Sequence, residues 1–305
     1  MKTKVKNIII PLIPMALWGS LFPFIKIGYA AFSINTESIP DILMFAALRF
    51  VVCGVVVCAL SLLKKEIIGE SVGKCIFNNV ILGLVTIVLH YAFTYIGLSL
   101  TESSKTAILK QLGSLLYVCF GFLFFKEEVF HPTKIIGALT GFAGIIITSA
   151  GGGEIAFGVG DIMIILASLC IVAGSVMSRK IVQGTSAFWV TGISQLAGGV
   201  ILLVVAFALG ASIPTFTVKS TFVFAYICIA SIFAYTLWYH ILRTNVLSKM
   251  FIFKFAEPLF ACLFGALLLG EDILKLQYLV AFVLISLGIT IGNRNLGKNE
   301  KSQNF

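Results

Sequence analysis

The sequence predicts an all-α polytopic membrane protein of ten transmembrane helices, arranged as two inverted five-helix repeats. Three observations predict it. The chain is 59% hydrophobic and 11% charged over 305 residues, whereas a soluble domain carries roughly 25% charged residues. Its apolar residues gather into ten runs, each near the ~20 residues that a spanning helix needs. Residues 105–128, KTAILKQLGSLLYVCFGFLFFKEE, are echoed at 249–272, KMFIFKFAEPLFACLFGALLLGED. The offset, 249 − 105 = 144, lays Lys110 on Lys254, Gly121 on Gly265 and Glu127 on Glu271. It also carries Tyr91 and Tyr95 onto Tyr235 and Tyr239, and Gly144 onto Gly288. Such a duplication is the signature of a repeat-built membrane fold.

In chain order the runs are 7–31, 41–63, 76–98, 103–125, 133–150, 161–181, 187–209, 221–242, 246–269 and 273–292. The gaps leave no room for a soluble domain. The stretch GGGEIAFGVGD, 151–161, is the most loop-like and divides the chain into units at 7–150 and 159–292. Five helices per unit is an odd number, so the second unit enters the membrane from the opposite side and the repeat is inverted. Of the 22 lysines and arginines, fifteen fall on the side that holds the N-terminus. Three (Lys105, Lys219, Lys275) fall opposite, and four (Lys26, Arg49, Lys110, Lys254) lie within helices. This bias puts both termini, residues 1–6 and 293–305, in the cytoplasm of a cell-membrane protein.

The net charge of +9 does not imply nucleic acid, because the basic residues sit in short gaps and form no patch. The seven cysteines are scattered through apolar runs without metal-ligand spacing, so neither disulfides, a metal nor a cofactor is expected. The first apolar run is too long for a cleavable signal peptide.

Proline and glycine punctuate the runs. Pro14 and Pro23 are expected to interrupt the first helix, and Pro258 the ninth, each freeing a carbonyl toward the interior. For Pro258 that carbonyl belongs to Lys254. Gly137/Gly141 and Gly288/Gly292 have small-xxx-small spacing, suited to a homodimer interface or, more simply, to packing within the chain.

Lys110 and Lys254 carry the strongest functional signal. A basic residue in mid-membrane is costly and is usually interior and functional. Each lies about eight residues into its helix, hence about 6 Å to opposite sides of the midplane, within reach of one central solute. Glu257, three residues beyond Lys254, is expected on the same helix face as its ion-pair partner. The counterpart of Glu257 is Gly113, which leaves Lys110 as the lysine for an anionic group. Glu257 is the one carboxylate deep in a run, and hence the first suspect if protons drive transport. The simpler alternative is that both lysines are structural.

Tyr91/Tyr95 and Tyr235/Tyr239 are i, i+4 pairs, each along one helix face. With Trp18 and Trp238 they form two walls of one cavity, set deeper than an interfacial belt. Arg49 lies in the outer third and binds interior carbonyls or lines an outer vestibule, while Lys26 snorkels to the interface. His90, near the middle of helix 3, is more simply a hydrogen-bonded packing residue than a proton relay. Ser194 and Gln195 are weaker cavity candidates. Gly158-Val159-Gly160-Asp161 matches the GxGD of intramembrane aspartyl proteases. That chemistry needs a second membrane aspartate, and Asp41 and Asp272 sit at helix ends. No catalytic constellation is present.

Trp18-Gly19-Ser20 followed by Lys26, Leu48-Arg49-Phe50, and Gly160-Asp161 resemble the EamA family of the drug/metabolite transporter superfamily. So do Phe124-Phe125-Lys126-Glu127, Leu268-Leu269-Gly270-Glu271, Pro258-Leu259-Phe260-Ala261 and Gly141-Phe142-Ala143-Gly144. The resemblance spans nearly the whole chain as two units, and departs from the family pattern at Ser114, where a proline is usual. It implies a secondary transporter working by alternating access. Related members export amino acids and other metabolites. More distant ones exchange phosphorylated or nucleotide-linked solutes through basic residues on the helices matching 4 and 9.

The expected substrate-binding set is therefore Lys110, Lys254, Glu257, Tyr91, Tyr95, Tyr235, Tyr239, Trp18, Ser20, Arg49 and His90. The expected partners are a small anionic or zwitterionic metabolite, the lipid bilayer, and H+ or a counter-transported solute. A membrane-embedded enzyme and a ligand-binding receptor that has lost transport are the readings from other classes.

Overall fold

Helices account for every named element in the computed structural model, which describes residues 2–69, 71–100, 103–123, 125–126, 128–149, 158–270 and 276–292. The first half contributes α1 (Lys2–Ala31), α2 (Ile39–Leu63), α3 (Val72–Gly83), a π-helical turn (Leu84–Leu89), α4 (His90–Leu100), α5 (Ser103–Phe120) and α6 (Pro132–Ser149). A 3₁₀ turn, Gly121–Leu123, follows α5. The second half contributes α7 (Val159–Gly184), α8 (Ala187–Ala208), α9 (Val218–Leu242), α10 (Leu247–Lys254), α11 (Glu257–Leu269) and α12 (Leu276–Gly292). Among the described residues, seven helices are long and apolar enough to cross a membrane. They include one that runs from α3 through the π turn into α4, and one made of α10 with α11. Leu109–Leu123, Pro132–Ile147 and Leu279–Gly292 are shorter apolar helices.

The helix starts are written locally. Ser38 caps α2 by accepting from the Asp41 N–H, and Ser186 caps α8 by accepting from the Trp189 N–H. Thr217 caps α9 by accepting from the Ser220 N–H. Asp161 of the GxGD stretch is a capping residue too, since its carboxylate accepts from the Gly158 N–H at 2.7 Å. α11 ends at Gly270, whose φ of +69° is the left-handed conformation that favours glycine.

Two glycine-lined pairs hold the halves together. α2 runs antiparallel to α8: Gly54 meets Leu196, Cys58 meets Gly192, and Phe50 and Val51 meet Gly199. α6 runs antiparallel to α12: Gly137 meets Gly288 and Gly292, and Gly144 meets Ala281 and Ile285. Backbones approach so closely that a Cβ on Gly54 would fall 2.3 Å from the Leu196 nitrogen. The small-xxx-small glycines are thus used within the chain. α1 packs on α9 and α11, while α7 packs on α4 and α5. Exchanging the halves maps this set of pairings onto itself.

α1 corrects the sequence expectation. It is one helix with Pro11, Pro14 and Pro23 inside it, and neither Pro14 nor Pro23 interrupts it. Proline removes one backbone bond without forcing the chain to unwind, and all three rings are buried where packing supports them. At Pro258 the helix does stop. Lys254 ends α10, Glu257 opens α11, and Phe255 and Ala256 form a tight joint with i→i+3 bonds to Ile252 and Phe253. α10 is buried on all sides, which is where an interrupted membrane helix can be tolerated.

Two further links cross between the halves. The loop after α2 meets the loop after α7 through Gly69 N–H to Gly184 O, Ser186 N–H to Ile67 O and Trp189 Nε1–H to Glu66 O. Glu128, ahead of α6, accepts from the backbone N–H of Ser248 at 3.0 Å and from the Ser248 hydroxyl. Lys134 Nζ lies 3.4 Å from the same carboxylate.

Candidate functional site

The two halves line a cavity of about 90 Å³, space for a handful of waters. α1 supplies Trp18, α5 supplies Lys110, and the joint between α10 and α11 supplies Lys254 and Glu257. Thr86 on the π turn and His90 and Tyr91 on α4 form one wall, facing Tyr235, Trp238 and Tyr239 of α9. Ile171, Gly174 and Ser175 of α7 complete it. The π turn explains the first wall. Its i→i+5 bonding puts more residues in each turn, so Thr86 shares a face with both His90 and Tyr91.

Lys110 and Lys254, the duplicated pair, therefore meet at one cavity, with Glu257 beside them. The expected Lys254–Glu257 ion pair does not form: no contact within 4.0 Å joins them among the described residues. The i, i+3 argument assumed a continuous helix, and the joint at Phe255–Ala256 breaks that register. Lys254, 6% exposed, instead holds its ammonium 4.5 Å from the Trp18 ring and 5.0 Å from the Trp238 ring. Each such contact is worth about 0.5–2 kcal/mol. Lys254 ends α10 and Glu257 opens α11, so each charge also suits the local helix dipole. Lys110 Nζ lies 5.1 Å from the Phe22 ring. Glu257, 8% exposed, turns toward the cavity.

The other expected residues divide. Tyr91, Tyr235, Tyr239, Trp18 and His90 line the cavity, and the His90 Nδ1–H donates to the Ala167 carbonyl at 3.1 Å. Tyr95 stands behind Tyr91, with ring centres 5.8 Å apart. Ser20 lies off the cavity. Its hydroxyl donates to the Leu17 carbonyl, so it accepts from the Tyr226 hydroxyl at 2.8 Å. Arg49 is 2% exposed, and among the described residues its guanidinium meets no carbonyl and does not line this cavity. Its Nη2 donates to the Tyr91 hydroxyl oxygen at 2.9 Å, and its guanidinium lies 4.3 Å from the Phe50 ring. Ser194 is spent on the Val190 carbonyl, and Gln195 is buried away from the cavity with neither amide atom bonded.

Sequence reasoning missed Thr86 and the α7 face. Ile171, Gly174 and Ser175 have i, i+3, i+4 spacing, a signal that was present but carried no charge to draw attention. In the other half, Gly113, the counterpart of Glu257, is used for packing: its N–H donates to Ser168 Oγ at 3.2 Å.

The sequence profile of the EamA-like transporter family matches residues 5–150 and 158–293. The chain belongs to the EamA-like transporter family. This EamA-like protein is 26% identical over 281 residues to the uncharacterized inner membrane transporter YedA of Escherichia coli K12, covering 89% of this chain and 88% of YedA. It is 25% identical over 263 residues to an uncharacterized transporter of Archaeoglobus fulgidus, covering 84% and 87%. To the uncharacterized transporter YvbV of Bacillus subtilis it is 25% identical over 301 residues, covering 94% and 93%. A solved crystal structure shares the fold with a TM-score of 0.76 at 18% identity, covering 96% of this chain and 99% of the other. The EamA-like chain is thus a multi-pass membrane transporter.

Proposed function

We propose that the protein moves a small anionic or zwitterionic metabolite, an amino acid or organic acid, out of the cell by alternating access. Its two units, 7–150 and 159–292, form ten spans as inverted five-helix repeats with both termini cytoplasmic. The antiparallel pairing of equivalent helices, α2 with α8 and α6 with α12, supports the inversion. The observation that carries the function is the meeting of Lys110, Lys254 and Glu257 in one aromatic-walled cavity.

Lys254 is engaged by two indole faces. Lys110 then takes the carboxylate of the solute, and Glu257 takes an ammonium group or a coupling proton. The small volume and the carboxylate favour a zwitterion over a phosphorylated or nucleotide-linked solute, whose multiple negative charges Glu257 would repel.

The test is a thermal-shift screen of amino acids and organic acids on purified protein, followed by counterflow in liposomes with the stabilising solutes. Lys110→Gln is expected to raise the half-saturation concentration about tenfold. An unchanged rate and affinity would remove Lys110 from the site.

A further inference from the structure

Arg49 is buried without a carboxylate among its described contacts, and its Nε has no partner. Among the described residues, its hydrogen bond to a side chain runs to the Tyr91 hydroxyl oxygen, and Tyr91 lines the cavity. A guanidinium has five N–H donors and no acceptor. Tyr91 must therefore accept from Arg49, and its own proton must point elsewhere. With Tyr91 on the cavity wall, that O–H is offered to whatever occupies the cavity.

We infer that Arg49 is a positioning residue that polarises the tyrosine wall, making Tyr91 an obligate hydrogen-bond donor to the anionic or carbonyl end of the solute. The inference rests on the proposed solute class and deepens it. The acceptor end of the solute lies between Tyr91 and Lys110, and any cationic end lies at Glu257. The wall rejects ammonium groups, because a donor facing a donor leaves both unmatched in a low-dielectric site. Arg49 touches no solute itself; it acts through the phenol.

The assignment can be tested without knowing the solute. Two of the three tryptophans, Trp18 and Trp238, line the cavity. In a Trp189→Phe background, their fluorescence reports on quenchers that enter it. Iodide is expected to quench more steeply than caesium. Tyr91→Phe, which removes only the hydroxyl, is expected to lower the iodide quenching constant about threefold, the scale of one hydrogen bond. In an Arg49→Met background the same change is expected to cost little, because the phenol there is free to turn. Arg49→Lys, which keeps a donor-only cation, restores the Tyr91 dependence and serves if Arg49→Met does not fold.

An iodide constant no larger than that of caesium would overturn the inference. So would an unaltered constant in Tyr91→Phe, or an equal loss in both backgrounds. Failure of the transport reading looks different: the quenching pattern holds while no amino acid or organic acid shows counterflow.

Discussion

The Lys254 ammonium stands 4.5 Å from the centre of the Trp18 ring, so a lysine of the second half is held by an indole of the first. The partner expected from the sequence, Glu257, is left facing the cavity. In the function proposed above, that leaves Glu257 for a solute.

Trp18→Leu stays apolar but removes one cation–π contact of about 0.5–2 kcal/mol along with part of the ring's volume. Solute affinity in a binding titration is expected to fall roughly two- to thirtyfold, with Trp18→Phe losing less. Equal affinities in the parent and both variants would show that the indole face does not hold the ammonium.

Glu257→Gln separates the two ends of a zwitterion. L-alanine and L-lactate differ only in that the first carries an ammonium where the second carries a hydroxyl. The variant is expected to weaken alanine about tenfold relative to lactate, as measured by competition against the best solute of the thermal screen. A proportional loss of both would assign Glu257 to the fold.

Gly54→Val inserts a branched side chain where a Cβ would already fall 2.3 Å from the Leu196 nitrogen. Overpacking of this kind costs about 1–3 kcal/mol, seen as a lowered melting temperature in detergent. Gly73→Val is the control, since nothing lies within 4 Å of a Cβ there. The control is expected to melt close to the parent.

Glu128→Gln keeps the shape of the link to α10 but gives up the carboxylate that accepts both Ser248 donors. A hydrogen bond to a charged group is worth about 1.5–3 kcal/mol. The loss is expected to exceed that of Lys134→Gln, whose ammonium lies at a longer 3.4 Å and also finds the Val129 carbonyl. Equal melting temperatures for the two variants would argue against Glu128 as the centre of that cluster.

Much of this was legible in the chain. The apolar runs located the helices to within a few residues, since span length is set by the bilayer and by the helix rise. The repeat pointed Lys110 and Lys254 toward one cavity, and Pro258 announced the joint. The errors share a cause. Pro14 and Pro23 look the same in sequence as Pro258, but their surroundings keep α1 whole. The Lys254–Glu257 pairing borrowed helical register across a break that Pro258 had already signalled. The bond between Arg49 and Tyr91 joins residues 42 apart on different helices, and the π turn at Leu84–Leu89 follows from no local residue pattern. Glu128 stands beside Lys126 and Glu127 at the end of the repeated stretch, where nothing marked it out; Glu127 itself lies outside the described residues.

The joint at Phe255–Ala256 belongs to the second half alone, and the π turn at Leu84–Leu89 belongs to the first. Two identical copies exchanging roles would rock between poses of equal energy. In the alternating-access cycle proposed above, irregularities distributed this unequally lift that degeneracy and favour one facing even when solute concentrations are equal on both sides. The proposed cycle would then have a resting posture set by the backbone, separately from the gradient that sets the direction of flow.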